Sequence, residues 1–239
     1  MREPVSSHRP SVASLGPIWA IDPDKETAHN ENPRRIADRV TQLTALPCLI
    51  EHHSVATAER LTELGPSAIL IGGQGTPWWE YSSQELEPIM QVVREATCAI
   101  LGICGGHQLI AMAFGGRVAP MRVEMEGKGP GYSGCFEEKG WGLVRTVRDD
   151  PLFAGVNAVS ELWLNHCEEV KGVPEGFIRL AEGGICRVMA MRHALRPLYG
   201  VQFHPEANWE EHPAGRAIMA SFLRIAGLHA GAHPGEPGG

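Results

Sequence analysis

The sequence predicts an α/β fold in three layers, with a mostly parallel central sheet, helices on both faces and a small β-rich excursion in the second half. Three observations carry this. Short apolar runs alternate with amphipathic stretches from residue 17 to residue 116, the pattern of a parallel sheet with crossover helices. From about residue 117 the texture changes to β-branched runs broken by turn formers. The chain has 239 residues, 43% of them hydrophobic, enough for one substantial core.

The elements follow in order. "PIWAID", 17–22, is a first strand ending in a carboxylate. "NPRRIADRVTQLT" is a helix, with Pro33 suited to its first turn. "PCLIEHH" is a second strand and "TAERLTEL" a short helix. "SAILIGGQG" is an apolar strand that runs into glycines. "SSQELEPIMQVVREA" opens on a serine cap with early glutamates, which marks a helix. "CAILGI" is the next strand and "HQLIAMAFGG" its helix. Strands and loops are expected across "RVAPMRVEMEGKGPGYSGCF", "GWGLVRTV", "SELWLNHCEEV" and "GICRVMAMRHALRPLYGVQFHPE". "PAGRAIMASFLRIAG" closes as a helix with Ile218, Phe222 and Ile225 on one face and Gly227 as its stop. The expected boundaries are a loose arm over 1–16, one domain over 17–228 and a Pro/Gly-rich tail over 229–239.

Composition narrows the function classes. The net charge is -7 and no dense Lys/Arg block stands out, which argues against nucleic-acid binding by a basic patch. The start has no signal-type apolar segment, and the best apolar stretch is broken by Gly, His and Gln. The six cysteines are dispersed with no CxxC, so free thiols and a cytoplasmic setting are expected.

Three stretches carry chemistry. In "ILGICGGHQLIAMAFGG", Gly102-Ile103-Cys104-Gly105-Gly106 joins a strand to a helix. This is the cysteine form of a nucleophile elbow. A tight turn holds the sulfur clear of the sheet, the helix N-terminus favours a thiolate, and the following N–H groups face a developing oxyanion. Alone, the stretch also suits a buried cysteine in a tight turn. In "YGVQFHPE", His204 and Glu206 are two apart in an extended segment and face one side, so the carboxylate can orient the imidazole. In "ILIGGQGTP", glycines after a strand let backbone approach a ligand, and the Gly73 N–H is a candidate oxyanion donor beside that of Gly105.

Together and in this order, these stretches resemble the class I glutamine amidotransferase family. Gly102, Cys104, Gly106 and Gln108 match its G-x-C-x-G-x-Q motif, and His204 and Glu206 match its late motif. "ELWLNHCEEV" resembles the "WMSHGDxV" segment of GMP-synthetase-type amidotransferase domains. The resemblance spans about residues 17 to 227 and implies a flavodoxin-like sheet. It also implies a mechanism. Cys104 attacks the side-chain amide of L-glutamine, Gly73 and Gly105 hold the oxyanion, and His204, oriented by Glu206, protonates ammonia and then activates water. Gln108, Asn165 and His166 would hold the amino-acid end of the substrate.

The match has departures. Gln74 stands where the family often has proline, which predicts a less rigid oxyanion loop with an inactive resting state. Glu126-Gly127-Lys128 replaces "HGK" in several relatives, and Cys167 replaces glycine and is expected to pack inertly. Trp78, Trp79 and Trp209 suit either burial under loops or a docking patch for a partner. His52, His53 and His193 are expected at the surface. Cys104 and His107 lack further spaced ligands, so no metal is expected, and no cofactor. No P-loop stands out, so a synthase domain is not expected in this sequence. Three readings remain: an amidotransferase subunit delivering ammonia to a separate synthase, a stand-alone γ-glutamyl hydrolase, and a non-catalytic binding protein of the same fold.

Overall fold

The computed structural model describes residues 15–26, 31–122 and 131–228. Residues 1–14 of the expected arm, the tail over 229–239 and Glu126-Gly127-Lys128 lie outside that set.

The first half is a regular alternation. β1 (Ile18–Asp22) leads to α1 (Asn32–Thr44), β2 (Cys48–His52), α2 (Ala58–Leu64) and β3 (Ala68–Ile71). α3 (Ser83–Glu95), β4 (Ala99–Ile103) and α4 (Gly105–Ala113) follow. The boundaries have local causes. Pro33 occupies the first turn of α1, where its missing N–H costs nothing. Ser82 and Glu85 close a reciprocal capping box on α3. At the other end of α3, the Arg196 guanidinium donates to the carbonyls of Val93, Arg94 and Ala96 at 2.7–3.0 Å, satisfying acceptors the helix leaves orphaned.

The second half contributes β5 (Val118–Pro120), β6 (Glu138–Thr146), β7 (Val159–His166), β8 (Glu168–Val170), β9 (Phe177–Glu182), β10 (Ala190–His193), β11 (Leu198–Val201) and α5 (Pro213–Ile225). One sheet runs β2-β1-β3-β4-β11-β10-β9-β6-β7. Its first five strands are parallel, and the rest join antiparallel. The β-rich excursion therefore extends the central sheet, and among the described residues only β5 and β8 form a separate ribbon.

Side-chain alternation makes the three layers. Ile18, Leu70, Leu101 and Val201 face a core with Ile36 and Val40 of α1 and Ile218 and Phe222 of α5. Trp19, Ile21, Ile69, Ile71 and Ile100 face the other core, with Ile89 and Val92 of α3 and Leu109 and Ile110 of α4. Both faces of β1, β3, β4 and β11 are dry, which is why these strands read as apolar runs, while β2 at the sheet edge is half-exposed.

This topology places the site. β3, β4 and β11 are adjacent and parallel. Their carboxyl ends emerge together, the usual ligand position in an open α/β sheet. Gly73 follows β3, Cys104 follows β4 and His204 follows β11.

Candidate active site

Cys104 sits between β4 and α4 with φ 53° and ψ −102°, a conformation an L-residue other than glycine rarely adopts. Helix α4 begins at once, at Gly105. The flanking glycines are required by contact. A Cβ on Gly102 would stand 2.4 Å from the carbonyl of Gly106, and one on Gly106 would stand 2.3 Å from the carbonyl oxygen of Ile71. The elbow is pinned by Cys104 N–H donating to Val201 O at 2.8 Å and Gly106 N–H donating to Gly72 O at 2.8 Å. Strain at the cysteine is thus held by both neighbouring strands.

His204 and Glu206 meet as their spacing predicts. His204 Nδ1 is 2.8 Å from Glu206 Oε1, and Glu206 is fully buried. The His204 backbone N–H donates to Trp163 O at 2.8 Å, so the β6–β7 hairpin reaches back to hold the histidine. Burial works against a charged ring here. The Glu206 carboxylate and, after it, the nearby Cys104 sulfur outweigh it and hold the His204 pKa well above its ordinary value. The site therefore favours an imidazolium next to Cys104.

The remaining expected residues arrange differently. A cavity of about 200 Å³ opens over Cys104, lined by Gln74, Gln108, Tyr132, Asn165, His166 and Glu168 among others. It has room for a small amino acid. The Asn165 carbonyl accepts from Cys104 Sγ at 3.6 Å. His166 Nδ1 lies 3.1 Å from the Glu168 carbonyl, and its Nε2 lies 3.2 Å from Glu138. Gln108 lines the cavity, but both its N–H groups are engaged by Glu168 O at 2.7 Å and Gln202 Oε1 at 3.1 Å. Its oxygen accepts from Trp78 Nε1 at 2.6 Å. Its amide builds the wall of the cavity.

Gly73 lies against the centre: a Cβ there would be 3.4 Å from the His204 ring and 3.8 Å from Cys104 Sγ. Its N–H, however, donates to Asn32 Oδ1 at 2.8 Å. The Gly105 side of the loop is covered by the Gln74 carboxamide, which a Cβ on Gly105 would strike. Gln74 Nε2 donates to Tyr132 Oη at 3.2 Å, while its buried oxygen has no partner among the described residues.

Sequence reasoning missed four residues of the site: Asn32, Tyr132, Glu168 and Gln202. Glu168 is 2% exposed and accepts from the Trp78 N–H and the Tyr132 hydroxyl, at 3.1 and 3.0 Å. Gln202 Nε2 lies 3.7 Å from Cys104 Sγ. Glu168 stands inside "ELWLNHCEEV" and Gln202 inside "YGVQFHPE", so both were within reach of inspection. Asn32 and Tyr132 carry no local pattern that marks them.

One expectation changes and one pair of alternatives resolves. His53 is buried, packed against Tyr81 at 6.0 Å between ring centroids, and burial pushes its pKa down to about 4. Trp78 and Trp209 are buried, and Trp209 stacks under the Arg39 guanidinium at 4.4 Å, so the aromatic patch reduces to the exposed Trp79. Burial also pushes Cys167 up to about 12, with Glu137 adding to the effect. His107 is wholly buried, with Nε2 3.0 Å from the Val188 carbonyl.

Residues 29–225 match the model of the family described as Glutamine amidotransferase class-I. The chain is 48% identical over 133 residues to the glutamine-hydrolyzing GMP synthase subunit of Archaeoglobus fulgidus, an alignment covering 56% of this chain and 64% of the relative, less than two thirds of its length. The Pyrococcus abyssi protein of the same name is 36% identical over 169 residues, covering 71% of this chain and 80% of that one. A solved glutamine amido transferase from Methylobacillus flagellatus superposes with a TM-score of 0.69 at 16% identity, over 94% of this chain and 100% of the other, which speaks to the fold alone. A sulfur held on an elbow, an imidazole backed by a buried carboxylate and a family model matched across both place this chain in the class-I glutamine amidotransferase family.

Proposed function

We propose that this chain is a glutamine-hydrolysing amidotransferase subunit that delivers ammonia to a synthase on a separate polypeptide. The observation that carries this is the line from Cys104 through His204 to Glu206, which crosses the ends of β4 and β11 at the floor of an amino-acid-sized cavity. Several relatives bear the name of the glutamine-hydrolyzing GMP synthase subunit. This supports both the substrate and the separate partner.

The mechanism has two halves. The Cys104 thiolate attacks the side-chain carbonyl of L-glutamine, and the His204 imidazolium gives its proton to the departing ammonia. The neutral imidazole then takes a proton from water, which attacks the γ-glutamyl thioester and releases glutamate. Glu206 keeps Nδ1 protonated and stabilises the cation, without itself taking up the proton. The Gly105 N–H, at the N-terminus of α4, is a donor to the tetrahedral oxyanion. Asn165, His166 and Glu168 line the cavity and are proposed to hold the substrate's α-amino and α-carboxyl groups. The domain that does this spans 17–228, and it works in the cytoplasm, the reducing setting that its dispersed cysteines suit.

The test is ammonia release from L-glutamine by the purified chain, with and without a candidate synthase partner. Release that depends on Cys104 and rises at least tenfold with the synthase supports the reading. Rapid release without any synthase, over a broad range of γ-glutamyl compounds, would instead identify a stand-alone hydrolase.

A further inference from the structure

Asn32 is the first residue of α1, yet its side chain does not cap that helix. The capping position, Glu31, makes no side-chain cap bond either. An asparagine one residue earlier, at the capping position, would spend its oxygen on the helix's own N–H groups. Here it is spent elsewhere. Asn32 Oδ1 accepts from Gly73 N–H at 2.8 Å, and its Nδ2 donates to Glu206 Oε1 at 2.5 Å and lies 3.4 Å from His204 Nδ1. Gly72 makes room for it: a Cβ there would stand 2.7 Å from Asn32 Oδ1.

The direction of these bonds matters. Glu206 and His204 Nδ1 lie behind the imidazole, while Cys104 faces its other nitrogen. An N–H held by Asn32 therefore faces the back of the triad, away from the place where an oxyanion forms. On the reading that the site hydrolyses glutamine, we infer that Asn32 is a positioning residue that sets the direction of the Gly73 amide and keeps one oxyanion donor turned away in the isolated chain. Turnover requires that amide to leave Asn32 and turn toward the cavity. Gln74 in place of proline leaves the loop the freedom to do so.

Magnitude fixes the sign of the test. One oxyanion donor is worth about 10²–10³ in kcat. The bond from Asn32 to Glu206 is one of two at Oε1, and losing it leaves the one from His204 together with the anchored backbone. His204 holds Oε1 at 2.8 Å, and Arg39 Nε donates to the Glu206 backbone carbonyl at 3.1 Å. Releasing the Gly73 amide therefore outweighs losing one donor on Glu206.

The experiment measures synthase-free glutamine hydrolysis by Asn32→Ala and Asn32→Ser, with melting temperature as a check on folding. Serine suits a helix start but is too short to reach either partner. Both variants are expected to raise kcat roughly tenfold, a fraction of a full oxyanion donor, with KM unchanged. A residue that only supports the loop would lower kcat in both, and that result overturns the inference. Labelling of Cys104 by a diazoketone analogue of glutamine separates the two claims. If wild type is labelled and the variants are no faster, Asn32 has no such role. If wild type is neither labelled nor active, the glutaminase reading fails and this inference falls with it.

Discussion

At the scale of single residues, the site is a set of opposed demands on one imidazole. Burial would strip its charge, and Glu206 with Cys104 restores it. Replacing Glu206 by glutamine removes the favourable charge and leaves the burial. The basic limb of the kcat/KM profile, set by loss of the His204 proton, is expected to move to lower pH in Glu206→Gln. The rate at its optimum should fall less than in His204→Ala, since the base itself remains. An unmoved limb would mean that Glu206 does not govern the histidine. Asn32 belongs to this scale too, because its two short bonds join the oxyanion loop to the triad.

At the scale of elements, the elbow depends on how closely α4 approaches β3. Gly106 lies so near the Ile71 carbonyl that no side chain fits. Gly106→Ala is expected to push α4 off β3, cost on the order of 1–3 kcal/mol of stability, and reduce glutamine hydrolysis by roughly 10²-fold through displacement of Cys104. Denaturant titration and steady-state rates check both. A fully active, equally stable variant would refute the steric account of the motif. The elements were largely legible beforehand, because their causes are local. Pro33, the Ser82–Glu85 pair and the apolar stripe of α5 each act within one helix. β9 was missed: Arg179 interrupts its apolar run, and although β10 follows it directly, its other partner, β6, is distant in sequence. The joining of β9, β6 and β7 to the main sheet is a long-range pairing that no local pattern states. The triad was legible for the opposite reason, since His204 and Glu206 are two residues apart and Cys104 is framed by its own glycines. Asn32 was not, because its partners Gly73 and Glu206 are 41 and 174 residues away.

At the scale of the whole molecule, the buried histidines tie stability to pH. Burial pushes His107 down to about 3 and His53 to about 4. Each binds its proton more weakly folded than unfolded, so its contribution is full above the unfolded value of about 6.5 and is lost as pH falls toward the folded value. His204 has the opposite sign. Its contribution is complete below about 6.5 and is lost only as pH rises through its raised pKa, so it is level in the acid window. The urea midpoint is therefore expected to fall steadily between pH of about 6.5 and about 4.5. A flat midpoint over that range would show that these rings are not held neutral inside the fold.

On the proposed function, the molecule as a whole is a sheet that brings three strand ends together so that one sulfur can accept one acyl group. The most direct test of that claim is intact-mass measurement after exposure to the diazoketone analogue of glutamine. A single adduct at Cys104, absent in Cys104→Ala and much slower in His204→Ala, is the predicted result. An adduct spread over several cysteines, or one formed equally fast in His204→Ala, would contradict it.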